Sequence, residues 1–257
     1  MKPSNGADAF PSVQSVERTF NILSLFSEQQ PELSLSQISR SLKVSMPAAL
    51  KHLNALTTIG VLQRDPNNKR YSLGLELIKL GNLAKRSNNI RQVAVKIMTK
   101  LSKETGESVH LFVPDLYRYQ AVCIESVESP QTVISKVKMS LPLHVGASKK
   151  VILAYLDENY LQSFLSNYNM VPYTKNSISD PETLLKELDI IRSQGYATSF
   201  EETAYDICAV AAPIFRSSGI AASIAIYIPL YRFVQERMPF LIERLLNATG
   251  EISKILG

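Results

Sequence analysis

Leu33–Leu73 reads LSLSQISRSLKVSMPAALKHLNALTTIGVLQRDPNNKRYSL. Ser34-Leu35-Ser36-Gln37 has the form of a capping box: Ser34 caps a short helix and Gln37 reaches back to it. Leu35, Ile38 and Leu42 form the buried stripe of that helix. Ser45 is placed to cap a second helix, with Pro47 tolerated in its first turn. At 100° per residue, Met46, Ala49, Leu50, Leu53 and Leu56 fall on one arc, and Pro47, Ala48, Lys51, His52 and Ala55 on the opposite arc. Val61–Arg64 and Arg70–Leu73 are strand-like, and Asp65-Pro66-Asn67-Asn68-Lys69 between them is a turn by composition. The order is helix, turn, helix, hairpin.

The outer arc of the second helix is small-sided at its start and cationic one turn later. A helix entering the major groove needs such a face, because bulky side chains hold it off. A plain amphipathic surface helix would have the same wheel, so the hairpin decides between them. Arg64, Lys69 and Arg70 are expected to cluster at its tip, within reach of a phosphate backbone. His52 either contacts a phosphate or base or sits on the surface. Charge supports the nucleic-acid reading. Residues 1–90 carry 11 Lys and Arg against 6 Asp and Glu, whereas residues 91–257 carry 17 of each. No acid occurs between Leu33 and Arg64. A basic field of this kind attracts polyanions.

Upstream, Val13, Val16, Phe20 and Leu23 make one helical stripe that runs to about Ser27, and Glu28-Gln29-Gln30-Pro31 ends it. MKPSNGADAFPS, residues 1–12, reads as a short disordered leader without the apolar core of a secretory signal. Downstream, residues 75–86 form a Leu-rich linker helix interrupted by Gly81. Its spare apolar face is expected to be a dimer contact. Ser87-Asn88-Asn89 breaks it, and a helix from Ile90 to Thr105 follows, stopped by Gly106.

From Glu107 the period changes to strands: Ser108–Val113, Tyr119–Val127 and Gln131–Met139, with Pro114-Asp115-Leu116 as a turn. Helices are expected over Ser148–Leu156, after Asp157 and after Asp180-Pro181. Strands over Ile207–Phe215 and Ile220–Ile228 follow, then a last helix from about Pro239. This order predicts an α+β domain around an antiparallel sheet. The domains are thus a leader (1–12), a winged helix-turn-helix (13–74), a linker and dimerisation helix (75–89) and a second domain (90–257).

The stretch Ser15–Leu23, the helix-turn-helix and the wing from Gly60-Val61-Leu62 to Arg70-Tyr71-Ser72-Leu73-Gly74 resemble the N-terminal domain of the IclR (isocitrate-lyase-regulator) family of bacterial transcription factors. Leu141-Pro142-Leu143-His144, Arg192–Tyr196, Ala211-Ala212-Pro213-Ile214 and Ile252–Gly257 are similar to its effector-binding domain. The resemblance implies a GAF-like second domain that binds a small organic or aromatic acid. It also implies a homodimer, or a tetramer, on a pseudo-palindromic double-stranded DNA operator, and the two distant cysteines suit a reducing cytoplasm. Candidate DNA contacts are then Arg18, Gln37, Ser45, Met46, Pro47, Ala48, Lys51, His52, Arg64, Lys69 and Arg70. Ala147, Ser148, Lys149, Ser199, Ala209, Ala225 and Tyr227 match the family's effector pocket by position. Pro47-Ala48-Ala49 stands where the family usually has hydroxyl residues. Lys149 stands in place of the usual Gly, and Tyr227 in place of a small hydroxyl residue. Lys149 either adds a charge to an anionic ligand or fills the pocket. The loop Gly146-Ala147-Ser148 feeds a helix N-terminus, where free N–H groups favour a carboxylate.

Other classes fare poorly. No run approaches the roughly 20 apolar residues of a membrane span. Cys123 and Cys208 make neither a disulfide framework nor a zinc spacing. His144, Cys123, Cys208 and Ser148 are the possible reactive groups, but no catalytic motif surrounds them, and neither metal nor cofactor is expected. A non-specific DNA-coating protein is disfavoured by the neutral, pocket-bearing second domain.

Overall fold

The computed structural model describes residues 13–27, 29–129 and 140–257. The chain divides into two compact units, Met1–Ser87 and Asn88–Gly257.

The N-terminal unit opens with α1 (Gln14–Leu23), α2 (Leu35–Leu42) and α3 (Met46–Thr58). The expected capping box is formed: Ser34 N donates to Gln37 Oε1 at 2.9 Å, and Gln37 N donates to Ser34 Oγ at 3.3 Å. Lys43 closes α2 in the left-handed region (φ 53°), and Ser39 Oγ ties the turn by donating to the Val44 carbonyl at 2.7 Å. Ser45 Oγ then accepts from Ala48 N at 3.4 Å and starts α3. Strands β1 (Leu62–Arg64) and β2 (Tyr71–Leu73) pair antiparallel, with Arg64 opposite Tyr71. Leu33 adds a bridge to Tyr71 through two backbone hydrogen bonds, so the wing is tied to the start of α2. Ile22, Leu33, Ile38, Leu53, Leu56, Leu62 and Tyr71 make the core. Helix α4 (Leu75–Ser87) follows directly.

Two expectations for this unit change. The first helix ends at Leu23, not near Ser27; Val13, Val16 and Phe20 of its stripe are 61%, 53% and 57% exposed, and Ile22 is its buried residue. Periodicity reports an apolar face but not what covers it. Met46, placed by the wheel on the inner arc, is 49% exposed, because it sits at the first position of α3 beyond the reach of the core. The linker helix presents Leu75, Ile78, Leu80 and Leu83 to solvent, and no residue in it is buried.

The C-terminal unit holds α5 (Asn89–Thr105), β3 (Ser108–Asp115), β4 (Gln120–Val127), β5 (Ser140–Pro142), α6 (Ala147–Ala154), α7 (Glu158–Asn167), α8 (Pro181–Gln194), β6 (Ala197–Phe200), β7 (Ile207–Arg216), β8 (Gly219–Pro229) and α9 (Met238–Leu256). Asn88 caps α5 and Gly106 (φ 72°) ends it, while Asp180 caps α8 ahead of Pro181. The strands form one antiparallel sheet in the order β5-β4-β3-β8-β7-β6. Alternation sends Cys208, Val210, Ala212 and Ile214 of β7, and Ile224, Ile226 and Ile228 of β8, into a core with α5 and α9. Ala209, Ala211, Ala225, Tyr227 and Phe112 face the other way, into a core with α6, α7 and α8. This is the expected α+β architecture.

Strands β5 and β6 were not expected. Each is only 3 or 4 residues long, too short to show a period. β3 continues through Pro114 to Asp115, and the turn is a short 3-10 segment over Leu116–Arg118. The third expected strand, Gln131–Met139, lies outside the described residues, as does the leader.

Candidate DNA-reading face and effector pocket

Apart from Met46 at its start, α3 is built as the wheel predicts. Ala49, Leu53 and Leu56 are buried, Pro47, Lys51 and Ala55 are exposed, and Ala48 and His52 are half-buried between the two faces. α1 contributes to the same region: Arg18 Nη1 lies 3.4 Å from His52 Nε2. A guanidinium carries five N–H donors, so this contact leaves others for an anion. His52 is half-buried and meets Arg18.

The wing is organised by Asp65, whose Oδ1 accepts from Asn67 N at 2.7 Å and Asn68 N at 3.1 Å. Lys69 takes the left-handed region (φ 58°) and its Nζ donates to the Pro66 carbonyl. Arg64 Nε donates to the Lys69 carbonyl at 3.3 Å, with its guanidinium 5.4 Å from the centre of the Tyr71 ring. Arg70 departs from the expected cluster. It turns back to α2, donating to the Glu32 carbonyl at 3.4 Å and to Gln37 Oε1 at 3.5 Å. The tip thus holds Arg64 and Lys69, while Arg70 and Gln37 are engaged with each other and with the capping box. Ser45 is engaged as the cap of α3.

In the C-terminal unit, α6 begins after Gly146 (φ 82°), where an added Cβ would come 2.5 Å from Thr203 Cγ2. The anion expected at this helix N-terminus is supplied by the chain. Gly146 N donates to Glu202 Oε2 at 3.0 Å, and the other oxygen of Glu202 accepts from Lys150 Nζ at 2.7 Å. Lys150 also meets Glu187 Oε1 at 2.8 Å. Burial holds the Glu202 carboxyl above the usual carboxylate range, while Lys150 and the Gly146 N–H pull it down.

Lys149 points into the sheet. Its side chain is fully buried, with Nζ 3.3 Å from Tyr227 Oη and 4.0 Å from the centre of the Phe112 ring. Burial pushes this amine down to about 7. Ser148 Oγ lies 3.5 Å from the same Tyr227 hydroxyl, and its carbonyl accepts from Ser223 Oγ at 2.8 Å. Across the sheet, Ser199 of β6 pairs with Ala209 of β7, which pairs with Tyr227 of β8. Beside that row, Ala211 pairs with Ala225, which pairs with His110. The seven expected pocket positions therefore divide between the start of α6 and one face of the sheet that α6 covers.

Sequence reasoning missed four residues here. Phe112 and His110 line the same face, and the His110 ring stands edge-on to Tyr227 at 4.9 Å. Strand alternation placed them legibly, but nothing marked them as pocket. Lys150 and Glu202 had no local signal. Of the possible reactive groups, Cys208 faces the opposite core from Cys123. Cys123 Sγ lies 3.8 Å from His110 Nδ1, but burial pushes its thiol up to about 11. His144 is buried beside Phe164 and Tyr168, with Nε2 3.4 Å from the Val171 carbonyl. These groups form no nucleophile–base arrangement.

The sequence matches two family descriptions: the IclR helix-turn-helix domain over residues 15–66, and the bacterial transcriptional regulator IclR C-terminal domain over residues 83–254. The chain belongs to the IclR family. Among its relatives is the HTH-type transcriptional regulator XynR of Escherichia coli, 32% identical over 250 residues that cover 96% of this chain and 98% of XynR. The crystal structure of Thermotoga maritima IclR is 32% identical, covers 96% of this chain and 100% of its own, and superposes with a TM-score of 0.71. An IclR homologue from Microbacterium hydrocarbonoxydans, solved in complex with 4-hydroxybenzoate, shares the fold at 21% identity and a TM-score of 0.78, covering 95% of this chain and 99% of its own. Like its named relatives, this IclR-family chain is a DNA-binding transcriptional regulator with an effector-binding C-terminal domain, and not an enzyme. No described helix is long and apolar enough to cross a membrane.

Proposed function

We propose that this protein is a cytoplasmic homodimer, or a dimer of dimers, that reads a pseudo-palindromic operator and is gated by a small organic carboxylate. The winged helix-turn-helix is residues 13–74, the linker helix 75–89 and the effector domain 90–257. The observation that carries the DNA part is the exposed, small-sided face of α3 (Pro47, Lys51, Ala55) with Arg18 held against it at His52. Lys51 and Arg18 grip phosphates, Ser45, Met46, Pro47 and Ala48 approach the groove floor, and Arg64 and Lys69 of the wing reach the flanking backbone. Gln37 and Arg70 support that surface from behind and border the phosphates. The exposed leucines of α4 and the apolar stripe of α1 form the dimer contact. That contact sets two recognition helices about one helical turn (~34 Å), or a multiple of it, apart.

The effector site is the sheet face under α6, with Ala147, Ser148, Lys149 and Tyr227 at one side and Ser199, Ala209 and Ala225 as its floor. A ligand gates DNA binding only through unequal affinity for two states of the dimer. Gel-shift titration of the full chain on its own upstream region, with and without candidate carboxylates, tests both parts. Equal affinity for that region and for random DNA would overturn the regulator reading.

A second reading has one specific observation behind it. The Lys149 side chain is fully buried at a position that matches the family's pocket lining. If it stays there, the protein binds DNA independently of any effector, and no carboxylate changes its operator affinity.

A further inference from the structure

Lys149 is a buried amine that forms no salt bridge among the described residues. Ammonium offers three donors, and among the described residues its one hydrogen-bond partner is the Tyr227 hydroxyl at 3.3 Å. The groups packed around it are neutral. β3 brings Phe112 and His110, β4 brings Cys123, β8 brings Tyr227, and its own helix brings Ser148. Burial holds His110 down at about 4 and Cys123 up at about 11, and it raises the Tyr227 phenol as well. Glu128, 3.9 Å from His110, has a side chain that is 60% exposed. Glu202 is the carboxylate whose charge acts on Lys149, and it is already engaged by Gly146 N and Lys150, which also holds Glu187 of α8.

An enclosed ammonium without an opposite charge is unfavourable, and an anion brought beside it restores the charged form. The donors here are the Lys149 amine and the hydroxyls of Tyr227 and Ser148, and the rest of the wall is apolar. One positive charge matches one negative charge, so a monocarboxylate fits better than a phosphate dianion, which would leave a net buried charge.

We propose that the effector is a monocarboxylate that binds as the counter-ion of Lys149 and draws one proton from solvent as it does so. This rests on the effector-gated reading above. The balance is simple: neutral amine, solvent proton and carboxylate anion give an ammonium–carboxylate pair, with no bond to carbon made or broken. With the free amine titrating at about 7, proton uptake is small at pH 6 and approaches one at pH 8.5. Affinity is then level below pH 6 and falls toward tenfold per pH unit above pH 7, about 30-fold in all between pH 6 and 8.5.

The test is calorimetric titration and thermal melting of the full chain with 4-hydroxybenzoate, benzoate and acetate, and with neutral 4-hydroxybenzamide, at pH 6 and 8.5. The wild type is expected to bind a carboxylate about 30-fold tighter at pH 6 than at pH 8.5, with proton uptake seen as a buffer-dependent heat, and to ignore the amide. Lys149→Met abolishes both the pH dependence and the proton uptake. Tyr227→Phe, which keeps the amine, weakens binding but retains the pH dependence. Carboxylate binding that is independent of pH, unchanged in Lys149→Met or matched by the amide overturns the inference while leaving the effector-gated reading standing. If no acid or amide acts on melting or operator affinity at either pH, the inference and the effector-gated reading fall together, and operator binding without ligand survives as the effector-independent reading.

Discussion

Arg18 on α1 and His52 on α3 meet at 3.4 Å, joining two helices that are 34 residues apart in sequence at the face proposed to read DNA. Arg18 is thereby positioned by the recognition helix. Arg18→Ala is expected to weaken operator binding across all sequences and to reduce the slope of log affinity against log salt by about one, as loss of one phosphate contact does. Lys51→Ala should do the same. Salt titration of each variant checks this, and an unchanged slope in both would sink the assignment of this face.

The wing arginines should separate. Arg64→Ala lowers operator affinity and costs under ~1 kcal/mol of stability, the worth of an exposed cation–π contact. Arg70→Ala reports first in stability, by about 1 kcal/mol for hydrogen bonds to Glu32 and Gln37. Parallel denaturation and gel-shift curves distinguish the two, and identical effects on both readouts would contradict the geometry.

Much of this was legible in the sequence, because the signals are local. Ser34 and Gln37, Ser45 and Pro47, and Asp180 and Pro181 cap or start helices within three residues of themselves, and Gly106 stops one. The turn around Asp65 is equally local. Legibility failed where a contact spans the chain. Glu202 meets Gly146 across 56 positions, and nothing near residue 202 announces a helix cap. It also failed where a pattern is silent on its surroundings. The stripe of α1 shows an apolar face, yet Val13, Val16 and Phe20 lie exposed, because periodicity does not say what covers a face. Arg70 shows the third limit: composition places a cation in a hairpin but does not say which way it turns.

Lys149 has a stability signature. Its amine titrates at about 7 when folded, against 10.5 as the ordinary value. Between those values the unfolded chain binds the proton and the folded chain does not, so stability rises with pH there. The cost is full below pH 7. Lys149→Met should therefore stabilise the protein most at pH 7 and below, with the advantage shrinking by up to about 1.4 kcal/mol per pH unit from pH 7 to 10. Urea denaturation across that range checks it; an advantage that grows with pH is the contrary result.

Lys150 should behave in the opposite sense. It is 2% exposed and bound by Glu202 and Glu187. Lys150→Ala leaves buried carboxylates uncompensated and is expected to cost about 3–5 kcal/mol. The double variant Lys150→Met with Glu202→Leu should recover part of that loss, and thermal melting of the two variants decides.

On α4, Leu80 and Leu83 are 51% and 62% exposed. If these leucines form the proposed dimer contact, replacing both by Asp shifts the protein to monomer in sedimentation, with far-UV circular dichroism unchanged and operator affinity lost with the dimer. A dimer that persists would move the contact to another surface.

The separate interiors bear on inheritance. The N-terminal core is completed by side chains from Ile22 to Tyr71, all within the unit that ends at Ser87. The cores of the second unit draw on residues from Ile90 to Ile252, so a substitution inside one set of core residues leaves the other set unchanged. Drift in the ligand a regulator answers to and drift in the promoters it visits are then free to proceed at different rates.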